Sequence, residues 1–255
     1  MRPYLIGSQE CSGCNPPGLL YQKVILIEKE IMWFEMAKNM VFDFDGVLVD
    51  SKRMYVESTK KALKENGLKV SFKEIDEKLI PSIKGTIEKV LPKHMANREK
   101  VIKKIERRTI ELTSTEGLNY ISLCDDAVST LKELKEKNNR IFLLSNSHST
   151  FINKVLSSFE LNPYFAEVIT LDSGFPSKDD ALKHLSKTEN VRLADIVYVG
   201  DTKNDVELAR RVGCKIVIIF NEISWDFPNK QKVSDLNPDF MIDKFCDLIP
   251  LMQSI

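Results

Sequence analysis

The sequence predicts an α/β fold: a three-layer, Rossmann-like core around a parallel sheet, with a helical segment inserted after the first strand. Three observations carry this expectation. Short, nearly continuous apolar runs recur at residues 40–44, 141–144, 168–171, 196–199 and 216–220. Stretches with apolar residues at helical spacing alternate with the later runs, at 126–137, 150–159, 179–188 and 204–212. Almost a hundred residues, mainly helical in pattern, separate the first apolar run from the second.

The first run, Met40 to Phe44, is short and apolar apart from Asp43, which suits a strand buried on both faces. The four later runs have the same character. Strands of this kind alternating with helices imply parallel pairing, because each crossover helix covers a face of the sheet. The interval from 52 to 120 is too long for a simple crossover and is expected to be an inserted helical cap domain. Residues 40–51 and 121–255 then form the α/β core, and 1–39 an N-terminal extension. That extension is polar and turn-rich at first. From Leu19 to Phe34 it becomes apolar, but Lys23, Glu28, Lys29 and Glu30 interrupt it, so it lacks a secretory hydrophobic region and cleavage site. Cys11 and Cys14 form a C-x-x-C without the second pair of ligands that a zinc site needs. Met32, Met36 or Met40 is expected as the natural start, with the upstream residues over-called or a dispensable extension.

Composition narrows the class. At 255 residues with 43 % apolar content, the chain can bury a core without disulfide or metal staples. No apolar run approaches the roughly 18 residues of a membrane span, so no membrane partner is expected. Lys plus Arg equals Asp plus Glu at 37 each, which gives no general attraction to nucleic acid. Five cysteines without a framework spacing fit a reducing compartment, so a cytoplasmic location is expected. Charge is nonetheless uneven. Residues 52–120 hold 17 Lys or Arg against 10 Asp or Glu, a surplus of seven that the remainder balances. This is either a solvated helix face or a cationic lid over an acidic core. It lacks the interleaved aromatics of a nucleic-acid surface.

The chemistry is concentrated at the ends of the apolar runs. Val41-Phe42-Asp43-Phe44-Asp45-Gly46-Val47 delivers two carboxylates to a strand's carboxyl end, where open α/β sheets bind ligands. Ile196-Val197-Tyr198-Val199-Gly200-Asp201 ends another strand in an acid, followed by Asn204 and Asp205. If the two strands are parallel and central, Asp43, Asp45 and Asp201 converge at one edge. Clustered carboxylates repel one another unless a cation sits among them, and a hard oxygen-ligand site suits Mg²⁺. Ser145-Asn146-Ser147 places small donors at a strand-to-helix turn, where an anion is favoured. Lys178 opens a further helix with a compact positive charge.

Together these residues resemble the four motifs of the haloacid dehalogenase superfamily, in its phosphatase branch with an inserted helical cap. D-x-D-x-[TV] is matched by Asp43 to Val47, the strand-ending Ser by Ser145, the Lys by Lys178, and G-D-x-x-x-D by Gly200 to Asp205. The resemblance covers about residues 40–255 and is nearest to phosphoglycolate phosphatase-like and β-phosphoglucomutase-like enzymes. It implies a phosphomonoester hydrolase with Asp43 as nucleophile, forming an aspartyl-phosphate, and Asp45 as general acid and base. Mg²⁺ is implied on Asp43, on the Asp45 backbone carbonyl and on Asp201, with Asp205 supporting from behind or ligating directly. Ser145, the Asn146 N–H and Lys178 are implied to bind the phosphoryl oxygens of a small phosphorylated metabolite.

Asp45 argues against halide chemistry, because the family's dehalogenases lack an acid there. The family's P-type ATPases require membrane spans. Ile83-Lys84-Gly85-Thr86 resembles the specificity loop that some caps lower onto the site, with Lys84 either contacting substrate or standing as an ordinary exposed lysine. β-Phosphoglucomutases follow a similar Lys-Gly with an Arg. Here Thr86-Ile87-Glu88-Lys89 follows instead, which counts against a mutase while leaving it an alternative. A non-catalytic metabolite sensor on the same fold is a second alternative, opposed by the intact motif residues. His148 follows the second motif closely and either lines the pocket or, as is expected, lies at the surface near a helix start. His94 and His184 are expected in solvent, and Cys124 and Cys214 in the core. Substrate identity and oligomeric state are not encoded in these motifs.

Overall fold

A computed structural model describes residues 38–255 apart from residue 228, and these form one compact unit. The expectations for Cys11, Cys14 and the possible start sites lie outside the described residues. Six strands make a fully parallel sheet: β1 (Asn39–Phe42), β4 (Arg140–Leu144), β5 (Glu167–Ile169), β6 (Ile196–Gly200), β7 (Lys215–Ile219) and β8 (Phe240–Ile242), in the order β5-β4-β1-β6-β7-β8. The five expected strands are present within two residues of their ends. The sixth, β8, was not anticipated: Phe-Met-Ile is too short to register as a run, and pairing with β7 makes it a strand.

Side chains alternate across the sheet with the two-residue strand period. Met40 and Phe42 join one buried cluster with Ile141, Leu143, Val197 and Val199. Val41 joins the other, with Phe142, Leu144, Ile196 and Tyr198. Both faces are therefore apolar, which explains why the central strands read as unbroken hydrophobic runs. Helices α5 (Ala127–Glu136), α6 (Ser149–Ser158), α7 (Lys178–Thr188), α8 (Lys203–Val212), α9 (Lys230–Ser234) and α10 (Leu248–Ser254) complete the layers.

Between β1 and β4 the chain passes through β2 (Val49–Asp50), four helices and β3 (Ser122–Leu123). Strands β2 and β3 pair antiparallel, so the inserted segment leaves the core and returns through adjacent strands. Its helices are α1 (Lys52–Glu65), α2 (Phe72–Asp76), α3 (Ile83–Val90) and α4 (Arg98–Glu116). They bury a separate apolar cluster including Val56, Leu63, Ile75, Ile87, Ile102, Ile105 and Leu112. Among the described residues no helix is long and apolar enough to cross a membrane.

Candidate active site

Asp43 follows the central strand β1, and its N–H extends the pairing to the Val199 carbonyl of β6 at 2.8 Å. Asp201 follows β6 directly. Parallel pairing of Phe42 with Val199 therefore brings the two carboxylates to one sheet edge. The spacing of the fourth motif has a local cause. Thr202 and Asp205 form a capping box at the start of α8. The Asp205 Oδ2 accepts from Thr202 N at 3.0 Å, Thr202 Oγ1 at 2.6 Å and Asp201 N at 3.3 Å. Gly200 permits this closure, since a Cβ there would stand 2.6 Å from Asp205 Cγ.

Carboxylate oxygens of Asp43, Asp201 and Asp205 lie within 4.8 Å of one another. Lys178, the first residue of α7, counters this charge. Its Nζ donates to Asp43 Oδ2 at 2.8 Å and to the Tyr198 hydroxyl at 2.9 Å, and stands 3.9 Å from Asp205. Burial pushes the Asp43 carboxyl up to about 7, against the pull of Lys178. Burial and the Asp205 and Asp43 charges raise Asp201 well above the usual range. Burial alone would lower Lys178, but the facing Asp43 and Asp205 charges hold it above its ordinary value. Asp201 Oδ1 is buried without a hydrogen-bond partner, whereas its Oδ2 accepts from the Trp225 N–H. A buried carboxylate with one unpartnered oxygen, clustered with two further carboxylates, is a donor set suited to a hard divalent cation.

Asp45 stands apart from that cluster. Its side chain accepts from Ser51 Oγ at 2.5 Å and Ser147 Oγ at 2.6 Å. Ser147 has spent its proton on Asp45, so the Tyr55 hydroxyl donates to Ser147 Oγ at 2.7 Å. Burial raises the Asp45 carboxyl, and the bonds from Ser147 and Ser51 oppose the rise. Sequence reasoning quoted Ser147 only as a neighbour of Ser145, and it missed Tyr55 and Trp225. The two rings meet edge to face at 5.5 Å. A tyrosine at helical spacing reads as packing, and Trp225 lies in a loop after β7, so neither carried a motif signal.

A cleft of about 500 Å³ lies over these groups, lined by Asp43, Asp45, Asn146, Lys178, Asp201 and Asp205 and walled by the inserted helices. Ser145 is buried behind it, with its Oγ accepting from the Ser147 N–H at 3.0 Å. Lys84 lines the cleft, half exposed, with Nζ 3.9 Å from Glu88. Residues 83–86 form the first turn of α3 rather than a free loop, because Ser82 caps that helix and accepts from Gly85 N at 3.1 Å. His148 is both the residue before α6 and part of the cleft lining, so the surface expectation holds only for its position at the helix start. Cys124 is buried as expected, and Cys214 is half-buried against the second cluster.

Comparison with known proteins agrees with this arrangement. Residues 40–219 match the model of the family described as haloacid dehalogenase-like hydrolase. Phosphoglycolate phosphatase of Aliivibrio fischeri is 24 % identical over 226 residues, covering 86 % of this chain and 98 % of its own. Phosphoserine phosphatase of Methanocaldococcus jannaschii is 27 % identical over 192 residues, covering 70 % and 84 % respectively. The structure of a predicted phosphoglycolate phosphatase from Haemophilus somnus 129pt shares the fold, with a TM-score of 0.73 and 21 % identity across 86 % of this chain and 99 % of that one. The chain belongs to the haloacid dehalogenase-like hydrolase family and is an enzyme of its phosphatase branch.

Proposed function

We propose that the protein is a Mg²⁺-dependent phosphomonoesterase that acts on a small phosphorylated metabolite through an aspartyl-phosphate on Asp43. The observation that carries this reading is the division of labour between two carboxyls two residues apart. Asp43 is fixed by Lys178 beside the acidic cluster, while Asp45 is held by Ser51 and Ser147 away from it.

In the first step an Asp43 carboxylate oxygen attacks phosphorus and the bond to the leaving oxygen breaks. Asp45 delivers its proton to that oxygen, so an alcohol departs instead of an alkoxide. In the second step Asp45 takes a proton from water as the water oxygen attacks phosphorus. The bond to Asp43 breaks and inorganic phosphate leaves. Lys178 offsets repulsion between Asp43 and the phosphoryl oxygens, and in this reading the Asn146 N–H orients them, with Ser145 reaching them from behind the cleft lining. Asp43, Asp201 and the Asp45 backbone carbonyl would hold Mg²⁺, with Asp205 behind them. When bound, the cation supplies positive charge that offsets the developing negative charge on the phosphoryl group. Residues 52–120 act in this reading as a cap domain that closes over the substrate and excludes bulk water.

Phosphate release from a panel of phosphomonoesters, with Mg²⁺ or with chelator, tests the proposal alongside Asp43→Asn. Metal-dependent release that disappears in the variant is expected. Folded protein that releases no phosphate from any compound would overturn it, and phosphoryl transfer to a second hydroxyl would make it a mutase.

A further inference from the structure

We infer that the substrate's leaving group is an apolar-bodied alcohol, rather than a short carboxylate-bearing alcohol of the kind named for the curated relatives. The inference rests on the phosphatase reading and deepens it.

The cleft has two unlike halves. Its floor is the polar edge of the sheet, already assigned to the phosphoryl group. Its outer wall comes from the inserted segment, where a run of aliphatic and aromatic side chains is interspersed with the hydroxyls of Thr59, Ser82 and Thr86. The stretch before α3 contributes Leu79, Ile80 and Pro81, and its first residue contributes Ile83. Helix α4 turns one face to the cleft, Glu106, Ile110 and Thr113, at i, i+4 and i+7. Helix α1 adds Tyr55, whose ring meets Trp225 edge to face where wall and floor join. On the core side Leu171 is half exposed at the cleft. Partly exposed Leu, Ile and aromatic side chains facing one cavity mark a ligand-binding groove rather than chance exposure.

A carboxylate-bearing leaving group needs a cation that is not already committed. Apart from Lys178, which serves Asp43, two cationic side chains of the described residues line the cleft. Arg211 holds Asp179 through two nitrogens at 3.0 and 3.1 Å, which leaves half-exposed Lys84, 3.9 Å from Glu88, as a cation that a carboxylate would have to share with that glutamate. His148 belongs to the core-side loop after β4. Glu106, on the wall itself, repels a second negative charge. At about 500 Å³ the cleft falls within the roughly 300 to 1,000 Å³ of sites that enclose drug-sized ligands. A two-carbon acid would leave most of the wall's hydrocarbon in contact with water.

Unbranched alkyl monophosphates from ethyl to hexyl test this, because they share one leaving-group chemistry and differ only in apolar contact. The expected result is a kcat/KM that rises along the series, by up to about fourfold per fully buried methylene, with hexyl phosphate exceeding phosphoglycolate. Hexylphosphonate, which cannot be hydrolysed, is expected to bind more tightly than phosphonoacetate by calorimetry. Ile110→Lys is expected to shift the ratio of hexyl phosphate to phosphoglycolate turnover at least about tenfold toward phosphoglycolate. A flat or falling alkyl series, or phosphoglycolate as the better substrate, would overturn the inference and leave the phosphatase reading standing. If no ester is cleaved, the phosphonates still decide: tighter hexylphosphonate binding upholds the apolar site while the phosphatase reading fails, and equal or weaker binding sinks the inference as well.

Discussion

Lys178 Nζ stands 2.8 Å from Asp43 Oδ2, and this ammonium serves a cluster of three carboxylates, one half-buried and two buried. Burial pushes Asp43 up to about 7, and Lys178, its pull opposed by the Asp205 charge, does not bring it back. The folded protein keeps this proton up to about 7, whereas the unfolded chain releases it near 3.8. Between those values the folded state binds more protons, so stability falls as pH rises through the window. Thermal unfolding in chelator should show this decline between about pH 4 and 7, worth roughly 2 to 4 kcal/mol if Asp43 acts alone. Added Mg²⁺ should flatten it, and Asp43→Asn should reduce its slope. A melting temperature in chelator that is constant across the window would contradict the charge balance described for the site.

The chain from Tyr55 through Ser147 to Asp45 makes a separable prediction. Ser147→Ala removes one of two hydroxyl donors that hold the Asp45 carboxylate, and the carboxyl then rises further because the largest of the influences opposing burial is gone. A hydrogen bond to a charged group is worth about 1.5 to 3 kcal/mol, so kcat should fall roughly ten- to a hundredfold. The pH limb that reports Asp45 acting as a base should move to higher pH. Tyr55→Phe keeps the Ser147 bond to Asp45 and should cost about tenfold at most. Steady-state pH profiles of the two variants measure the difference. An unshifted limb in Ser147→Ala would mean that Asp45 does not depend on this donor.

Asp172 carries a structural prediction away from the chemistry. Its carboxylate accepts from Ser149 N at 2.9 Å and Ser149 Oγ at 2.6 Å, at the first residue of α6. These bonds, chiefly from the Ser149 hydroxyl, hold the carboxyl well below its usual range. Its stabilisation is therefore present above the unfolded value near 3.8 and is lost as pH falls through the lower folded value. Asp172→Ala should cost about 1 kcal/mol at pH 7, as loss of a helix-capping acceptor does. Denaturant titrations should show the two proteins converging in acid. A constant gap down to pH 2 would assign the stabilisation to something other than the ionised carboxylate.

The motif-bearing strand ends were legible because their physics is local. A buried parallel strand must be apolar, and a carboxylate straight after it announces itself, as Asp43 and Asp201 do. Lys178 was expected at a helix start, and the structure supplies the reason: Ser177 caps that helix and accepts from Asp180 N. What escaped was non-local. Strand β8 exists through its pairing with β7, and Trp225 reaches Asp201 because its loop folds back across 24 residues. Tyr55 looks like any amphipathic-helix aromatic until Ser147, 92 residues away, meets its hydroxyl. The Ile83 to Thr86 turn was misread for a local reason: Ser82 outweighs Gly85 and draws the segment into a helix.

Gly46 joins these strands of argument, because its demands are both conformational and steric. The backbone there has φ +80°, in the left-handed region where a side chain is strained. A Cβ would also stand 2.3 Å from Asp201 Oδ2 and 2.6 Å from the Trp225 ring. Neither neighbour is a flexible chain end, since Asp201 is fixed by the Trp225 N–H and Trp225 packs on Tyr55. Gly46→Ala must therefore push Asp201 away from Asp43 or distort the turn between Asp45 and Val49. The strain alone should cost roughly 1 to 3 kcal/mol, and the displacement should weaken cation binding. Calorimetric titration with Mg²⁺ alone, on protein shown to be folded by circular dichroism, separates the two effects. Gly46→Ala that binds Mg²⁺ like the parent would mean that the turn yields instead, and that Asp201 is held less rigidly than its contacts imply.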